Sequence, residues 1–256
     1  NPPGGAFIDY ILKTPVTGPL ALSIFDAQGA LVRRYGSDDQ PKAPDLTRLR
    51  VSPDWIAPAR PPSTAAGMHR LVWSLRYPAP APLAEGDVYA DGVWAPPGRY
   101  TVELSVNGER LRQPLTVAAD PRVSLSGDAY ARQFALARRI EAAAARVATA
   151  ISEAEKLHRT LSERARAAGA DEAKAVEDHD VRVQALTGPQ FGEAPVGQVP
   201  AGVSPLRTLA GTLRGFAVAV DGADAAPTPD VEAGFAKLEP AVEQTLAAWE
   251  ALKAPR

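Results

Sequence analysis

Cysteine is absent from the 256 residues, methionine occurs once and histidine three times. The first absence excludes thiol nucleophiles, thiolate metal sites and disulfides, so cysteine usage says nothing about redox compartment. Neither charge sign is in excess: residues 1–120 hold 12 basic and 12 acidic side chains, and residues 121–256 hold 16 and 18. A nucleic-acid binder would carry a basic face or a high pI, and nucleic acid is therefore not an expected partner. No apolar run approaches the length that spans a bilayer.

Catalytic signatures are missing as well. The chain holds no G-x-S-x-G, P-loop, H-E-x-x-H or G-x-G-x-x-G, and no cofactor or catalytic residue is expected. His69 stands beside Arg70 with no nucleophile at a recognisable spacing. A glycosidase would need two carboxyls facing each other across a cleft, an arrangement that spacing along the chain does not reveal. The chain opens at Asn1-Pro2-Pro3-Gly4-Gly5 with neither an initiator Met nor a signal peptide, and is expected to be a piece of a longer polypeptide.

What is present divides at Leu115–Asp128, where the apolar period changes from two to about three and a half. Asp120-Pro121 suits such a junction, because proline gives a ladder no N–H and biases its predecessor away from the helical region. Ser126 is placed to cap the helix that follows, with Asp128 in its first turn. The expectation is a two-domain α+β chain: residues 1–120 an antiparallel immunoglobulin-like β-sandwich, residues 121–256 an α-helical bundle.

In the first part, Ile8, Tyr10 and Leu12 share one face, as do Leu20, Leu22 and Ile24. Asp26-Ala27-Gln28-Gly29 reads as a turn into a hairpin partner, Ala30 to Tyr35. Leu71, Trp73 and Leu75 alternate next. Tyr100, Val102, Leu104 and Val106 follow, with Thr101, Glu103 and Ser105 expected to face out. Asn107-Gly108 is a type I′ signal that returns the chain through Leu111, Leu115 and Val117, and Pro114 demotes that strand to an edge. Trp73 and Tyr100 are the expected centre of the core.

Two long connections, residues 36–66 and 78–97, are rich in proline (Pro41, Pro44, Pro53, Pro58, Pro61 and Pro62 in one; Pro78, Pro80, Pro82, Pro96 and Pro97 in the other). Structureless loops of this length tend to be functional or docked on a neighbour. They carry Trp55, Tyr89 and Trp94, with Tyr77 at the start of the second. These four rings are the candidate ligand-binding residues, as an aromatic platform for polysaccharide; the alternative is that they pin the loops to the sheet or to an adjacent domain.

The second part reads as four amphipathic helices at about 128–168, 171–187, 204–221 and 229–253, forming an antiparallel up-down four-helix bundle or a pair of helical hairpins. The first is a heptad seam (Ala137, Ile140, Ala144, Val147, Ile151, Ala154, His158, Leu161, Ala165) on a helix of about 60 Å. Val176, His179, Val183 and Leu186 stripe the second. Ser204-Pro205 and Thr228-Pro229 are start signals for the others, and Pro240 is expected to kink the last or loosen its hydrogen bonding. The seam is read as intramolecular core in preference to a dimer interface. Antiparallel pairing of the first two helices about residue 169 would set His158 opposite His179, near Glu155, Glu177, Asp178 and Asp180. That pair is the candidate metal site, weighed against hydrogen-bonded seam histidines.

Several phrases together resemble one family. They are Asn1-Pro2-Pro3 with Gly5-Ala6 and Ile8-Asp9-Tyr10; Ile24 to Gly29 with Val32-Arg33-Arg34; Gly67 to Tyr77; Pro97-Gly98-Arg99-Tyr100-Thr101-Val102; Asp120-Pro121-Arg122; and Asp224 to Thr228. Their combination is similar to the region that follows the β-propeller in bacterial sortilin-like, BNR-repeat, "glycosyl hydrolase"-labelled proteins. Ser74 departs from it, since Asp is expected in the Trp-x-Leu-Arg-Tyr phrase. The resemblance implies a periplasmic or secreted protein with an upstream β-propeller as partner, and it carries over no catalytic residue. It favours a non-catalytic accessory or scaffolding module whose helices offer a surface to a protein partner. The alternatives are a carbohydrate-binding module and, more weakly, part of a hydrolase site completed by the propeller.

Overall fold

The computed structural model describes residues 4–43, 45–48, 51–55, 59–190 and 192–254. Asn1-Pro2-Pro3, Pro44 and Pro58, named above, lie outside them. The chain is mixed α+β, with antiparallel sheets and four α-helices among the described residues. It divides into two compact units, Asn1–Phe134 and Ala135–Arg256.

The first unit holds β1 (Ala6–Leu12), β2 (Leu20–Phe25), β3 (Leu31–Gly36), β4 (Gly67–Trp73), β5 (Arg76–Pro78), β6 (Asp91–Trp94), β7 (Gly98–Val106) and β8 (Glu109–Val117). They pair as a four-stranded sheet in the order β3-β2-β7-β8 and two ribbons, β1-β4 and β5-β6. Period-two alternation makes the core: Ile8, Tyr10 and Leu12 of β1, Leu20, Leu22 and Ile24 of β2, Leu71 and Trp73 of β4, and Tyr100 and Val102 of β7 lie in one buried cluster. Trp73 and Tyr100 meet in it edge to face, ring centres 5.3 Å apart. Asn107 (φ 51°) and Gly108 (φ 85°) make the turn from β7 to β8, and Pro114 sits on the edge strand opposite Thr101.

Four side chains depart from the alternation. Leu75 does not continue β4: it takes φ 60° in a kink where the Trp73 indole donates to Arg76 O at 3.0 Å. Glu103 is buried although it points away from the core, because Arg112 of the neighbouring strand donates to it at 2.7 Å and Arg110 approaches to 4.0 Å. Leu111, near the hairpin tip, is 66% exposed. Arg33 lies inward, in register with Ile24, and is 2% exposed. Of the two long connections, residues 78–97 are not structureless, since β6 pairs with β5 inside them.

The helices are α1 (Gly127–Ala167), α2 (Ala170–Thr187), α3 (Leu206–Asp221) and α4 (Pro229–Lys253). The Ser126 hydroxyl accepts from Ala129 N at 3.3 Å, and that of Thr228 from Val231 N at 3.3 Å. Ser204 does not cap α3; its N–H and carbonyl both meet the Thr245 hydroxyl of α4, and Pro205 takes the N-cap position. Helix α4 runs unbroken through Pro240.

Side-chain pairs in the second unit give the helix directions. Arg139 with Glu239, Arg146 with Glu243 and Lys253 with Glu153 ascend together, so α1 and α4 run the same way. His158 with Asp180 and Arg164 with Glu172 set α2 against α1. Ser204 with Thr245, and Phe216 with Phe235, set α3 against α4. Helices α2 and α3 therefore run in the same direction, not in the alternating order of an up-down bundle, while α1 with α2 and α3 with α4 each run antiparallel. The reason is length: α2 and α3 have 18 and 16 residues against 41 in α1, so each serves a different stretch of the seam and residues 188–205 carry the chain onward.

Candidate functional site

The four candidate rings have separate surroundings. Trp55, in the short 3-10 turn Pro53–Trp55, is 80% exposed. Tyr77 packs on Phe134 with ring centres 5.3 Å apart, and Tyr89 on Tyr35 at 5.2 Å. Trp94 has one face covered by the Arg76 guanidinium, 3.8 Å from the ring centre. Burial, reinforced by the charge of Asp39, pushes the Tyr89 hydroxyl well above the usual tyrosine range. Tyr77 and Tyr89 are thus partly buried packing against the core, which leaves Trp55 and one side of Trp94 to meet a ligand.

What organises the second connection is Arg33. Its Nη1 donates to Tyr77 O (3.0 Å), Ala90 O (3.3 Å) and Asp91 Oδ1 (3.1 Å), and its Nη2 donates to Tyr89 O (2.8 Å). A buried guanidinium is tolerable only with acceptors of this kind around it. The Ser74 hydroxyl donates to the same Asp91 oxygen at 2.7 Å. The first connection is tied in beside it: Lys42 Nζ donates to Glu85 O and Lys42 N to Asp87 Oδ1, while Tyr10 donates to Ser63 O at 2.8 Å. Sequence reading missed Arg33, although counting back by two from Tyr35 places it on the inward face, where an arginine must find partners.

The two candidate metal histidines face different elements. His158 Nδ1 lies 2.7 Å from Asp180 Oδ1, whereas His179 Nε2 lies 3.0 Å from Leu252 O on α4. Successive helical residues point about 100° apart, so Asp180 and not His179 is the residue that meets His158. Glu155 is paired with Arg207 at 2.6 Å and Asp178 with Lys174 at 3.4 Å. Among the described residues no group of three or more His, Asp or Glu is placed to hold a metal ion. His69 Nε2 meets Ala65 O at 2.8 Å, and Arg70 clamps Asp9 across the β1-β4 ribbon at 2.7 and 2.8 Å.

The second unit holds an apolar cavity and a polar one. One, of about 550 Å³, is lined by Leu186 of α2, Ala248, Ala251 and Leu252 of α4, and Val199 and Pro200 of the connection. The other, of about 220 Å³, is polar, and gathers Glu155 and His158 of α1, Gln184 of α2, Gln190 and Glu193 of the connection, and Arg207 of α3. Nothing in the spacing of these six residues announces that they converge. No helix among the described residues is long and apolar enough to cross a membrane. No family model, no curated protein and no solved structure matches the chain.

Proposed function

We propose that this chain is a non-catalytic accessory module of a larger periplasmic or secreted protein, in which the strand half braces an upstream β-propeller and the helical half offers a surface for protein assembly. The observation that carries this reading is Arg33: among the described residues it is the arginine turned into the strand core, and it holds four oxygen acceptors of residues 77–91 in place. The helical half follows the same pattern, with Arg139, Arg146, Arg164, Arg207 and Lys253 each paired to a carboxylate of another helix. Charged groups engaged in this way position main chain and join helices; none of these is left to polarise a substrate bond.

The finer architecture in this reading is an immunoglobulin-like sandwich followed by a helical bundle. In its favour, the inner faces of β1-β4 and of the four-stranded sheet share one core, and the Tyr100 hydroxyl donates back to Pro96 O at 2.5 Å, a contact of the kind made at the tyrosine corner of such sandwiches. The upstream propeller and the compartment rest on the resemblance of the phrases quoted above.

The test is to produce the full-length polypeptide with and without these 256 residues. The expected outcome is loss of propeller stability or of assembly, with any turnover of the folded propeller retained. A deletion that spares propeller folding yet abolishes turnover sinks the accessory reading. Polysaccharide binding is a second reading, favoured by the 80% exposure of Trp55; a Trp fluorescence titration with an oligosaccharide panel that leaves emission unchanged ends it.

A further inference from the structure

The polar cavity at the junction of α1, α2 and α3 stands apart from the internal pairing described so far, because several of its groups keep hydrogen-bonding capacity in reserve. Asp180 accepts from Gln184 Nε2 at 2.9 Å through one oxygen and meets His158 Nδ1 at 2.7 Å through the other. A carboxylate in that position requires the proton on Nδ1. Glu155 uses Oε1 for Arg207, and Glu193 uses Oε2 for Gln190 N. Among the described residues this leaves three acceptors without a partner: Glu155 Oε2, Glu193 Oε1 and Gln184 Oε1. Arg207, in contrast, is already engaged with Glu155 and with Gly188 O.

The charges agree with the acceptor count. Two carboxylates line the cavity and a third, Asp180, stands behind His158, against the single guanidinium of Arg207. A free anion would meet net negative charge. A metal ion would need ligands converging on one point, and no such group exists among the described residues. The volume of about 220 Å³ instead suits an organic molecule.

We propose that this cavity binds a small organic cation rich in N–H donors, a primary amine or guanidinium compound, held by Glu155, Glu193 and Gln184 beside the His158 ring. The ammonium donates to the carboxylates, and its carbon chain lies against Ala194 and Val196 on the cavity wall.

The chain's three histidines make the test direct. Ring nitrogen and proton signals of the intact protein are followed by NMR while 1,4-diaminobutane or agmatine is added at constant ionic strength, with glutarate as the anionic control. The expected result is a saturable shift of the His158 signals alone, with His69 and His179 stationary and no response to glutarate. Glu193→Gln keeps an acceptor for Gln190 N but removes the charge, and is expected to weaken binding about tenfold or more; Glu155→Gln gives a second variant should the first disturb the connection. Absence of a saturable His158 shift at millimolar amine, an equal response to glutarate, or unchanged affinity in both folded variants overturns the proposal.

Discussion

Arg33 is where a single side chain has the largest reach. Replacing it with Met strips the carbonyls of Tyr77, Tyr89 and Ala90 of a charged donor and takes from Asp91 the partner it has beside Ser74. Asp91, 42% exposed, is left to water, so the cost is that of orphaned buried carbonyls, about 1–3 kcal/mol. Urea unfolding is expected to show that loss, while Arg110→Ala, at a side chain 67% exposed, stays within about 0.5 kcal/mol of the parent. A second residue-scale expectation concerns Asp120, whose carboxyl is held at about 2, against the ordinary 3.8, first by the side-chain hydrogen bonds from Arg122 and then by its backbone N–H. Because the folded value lies below the unfolded one, the contribution of this pair is complete above about 3.8 and is lost as pH falls through about 2. A carboxyl NMR titration is expected to find the low midpoint, and Arg122→Ala to return it towards 3.8.

Among the elements, the β7-β8 hairpin and the start of α3 make contrasting cases. The hairpin depends on a local conformation: Gly108 holds φ 85° with no heavy atom within 4 Å of where a Cβ would stand. Gly108→Ala therefore meets backbone strain alone, about 1–2 kcal/mol, read as a lowered urea midpoint. The start of α3 depends on a distant helix. Thr245, fully buried, accepts from Ser204 N at 3.3 Å and donates to Ser204 O at 3.1 Å. Thr245→Val keeps the shape but orphans both main-chain groups, which costs about 1–3 kcal/mol. Faster hydrogen exchange at Ser204 is the accompanying sign, with the far end of α3 unaffected.

On the scale of the whole molecule, the seam of α1 is used within the chain. Ile140, Val147 and Ala154 are fully buried, and the neighbouring turns carry the ion pairs to α2, α3 and α4. With that stripe already covered, light scattering of the chain is expected to give the monomer mass of 27.0 kDa. A dimer at low concentration would mean that another face associates.

Periodicity alone determined much of this protein. Alternation over Ile8–Leu12 and Leu20–Ile24, the Asn107-Gly108 turn, the α1 run between Ser126 and Gly169, and the Thr228-Pro229 start all depend on residues within a few positions of one another, and the structure places them accordingly. Contacts between remote residues were decided only by the tertiary structure. Ser204 reads locally as a cap, yet Thr245 holds it from 41 positions away. His158 and His179 face each other in a register count, but one helical step turns Asp180 towards α1 and His179 towards α4. The direction of α3, the burial of Arg33 and the gathering of Glu155, Glu193 and Arg207 around one cavity belong to the same class. Local pattern sets which face of an element is apolar; which partner that face and its charged margins meet depends on how lengths and connections let the elements pack.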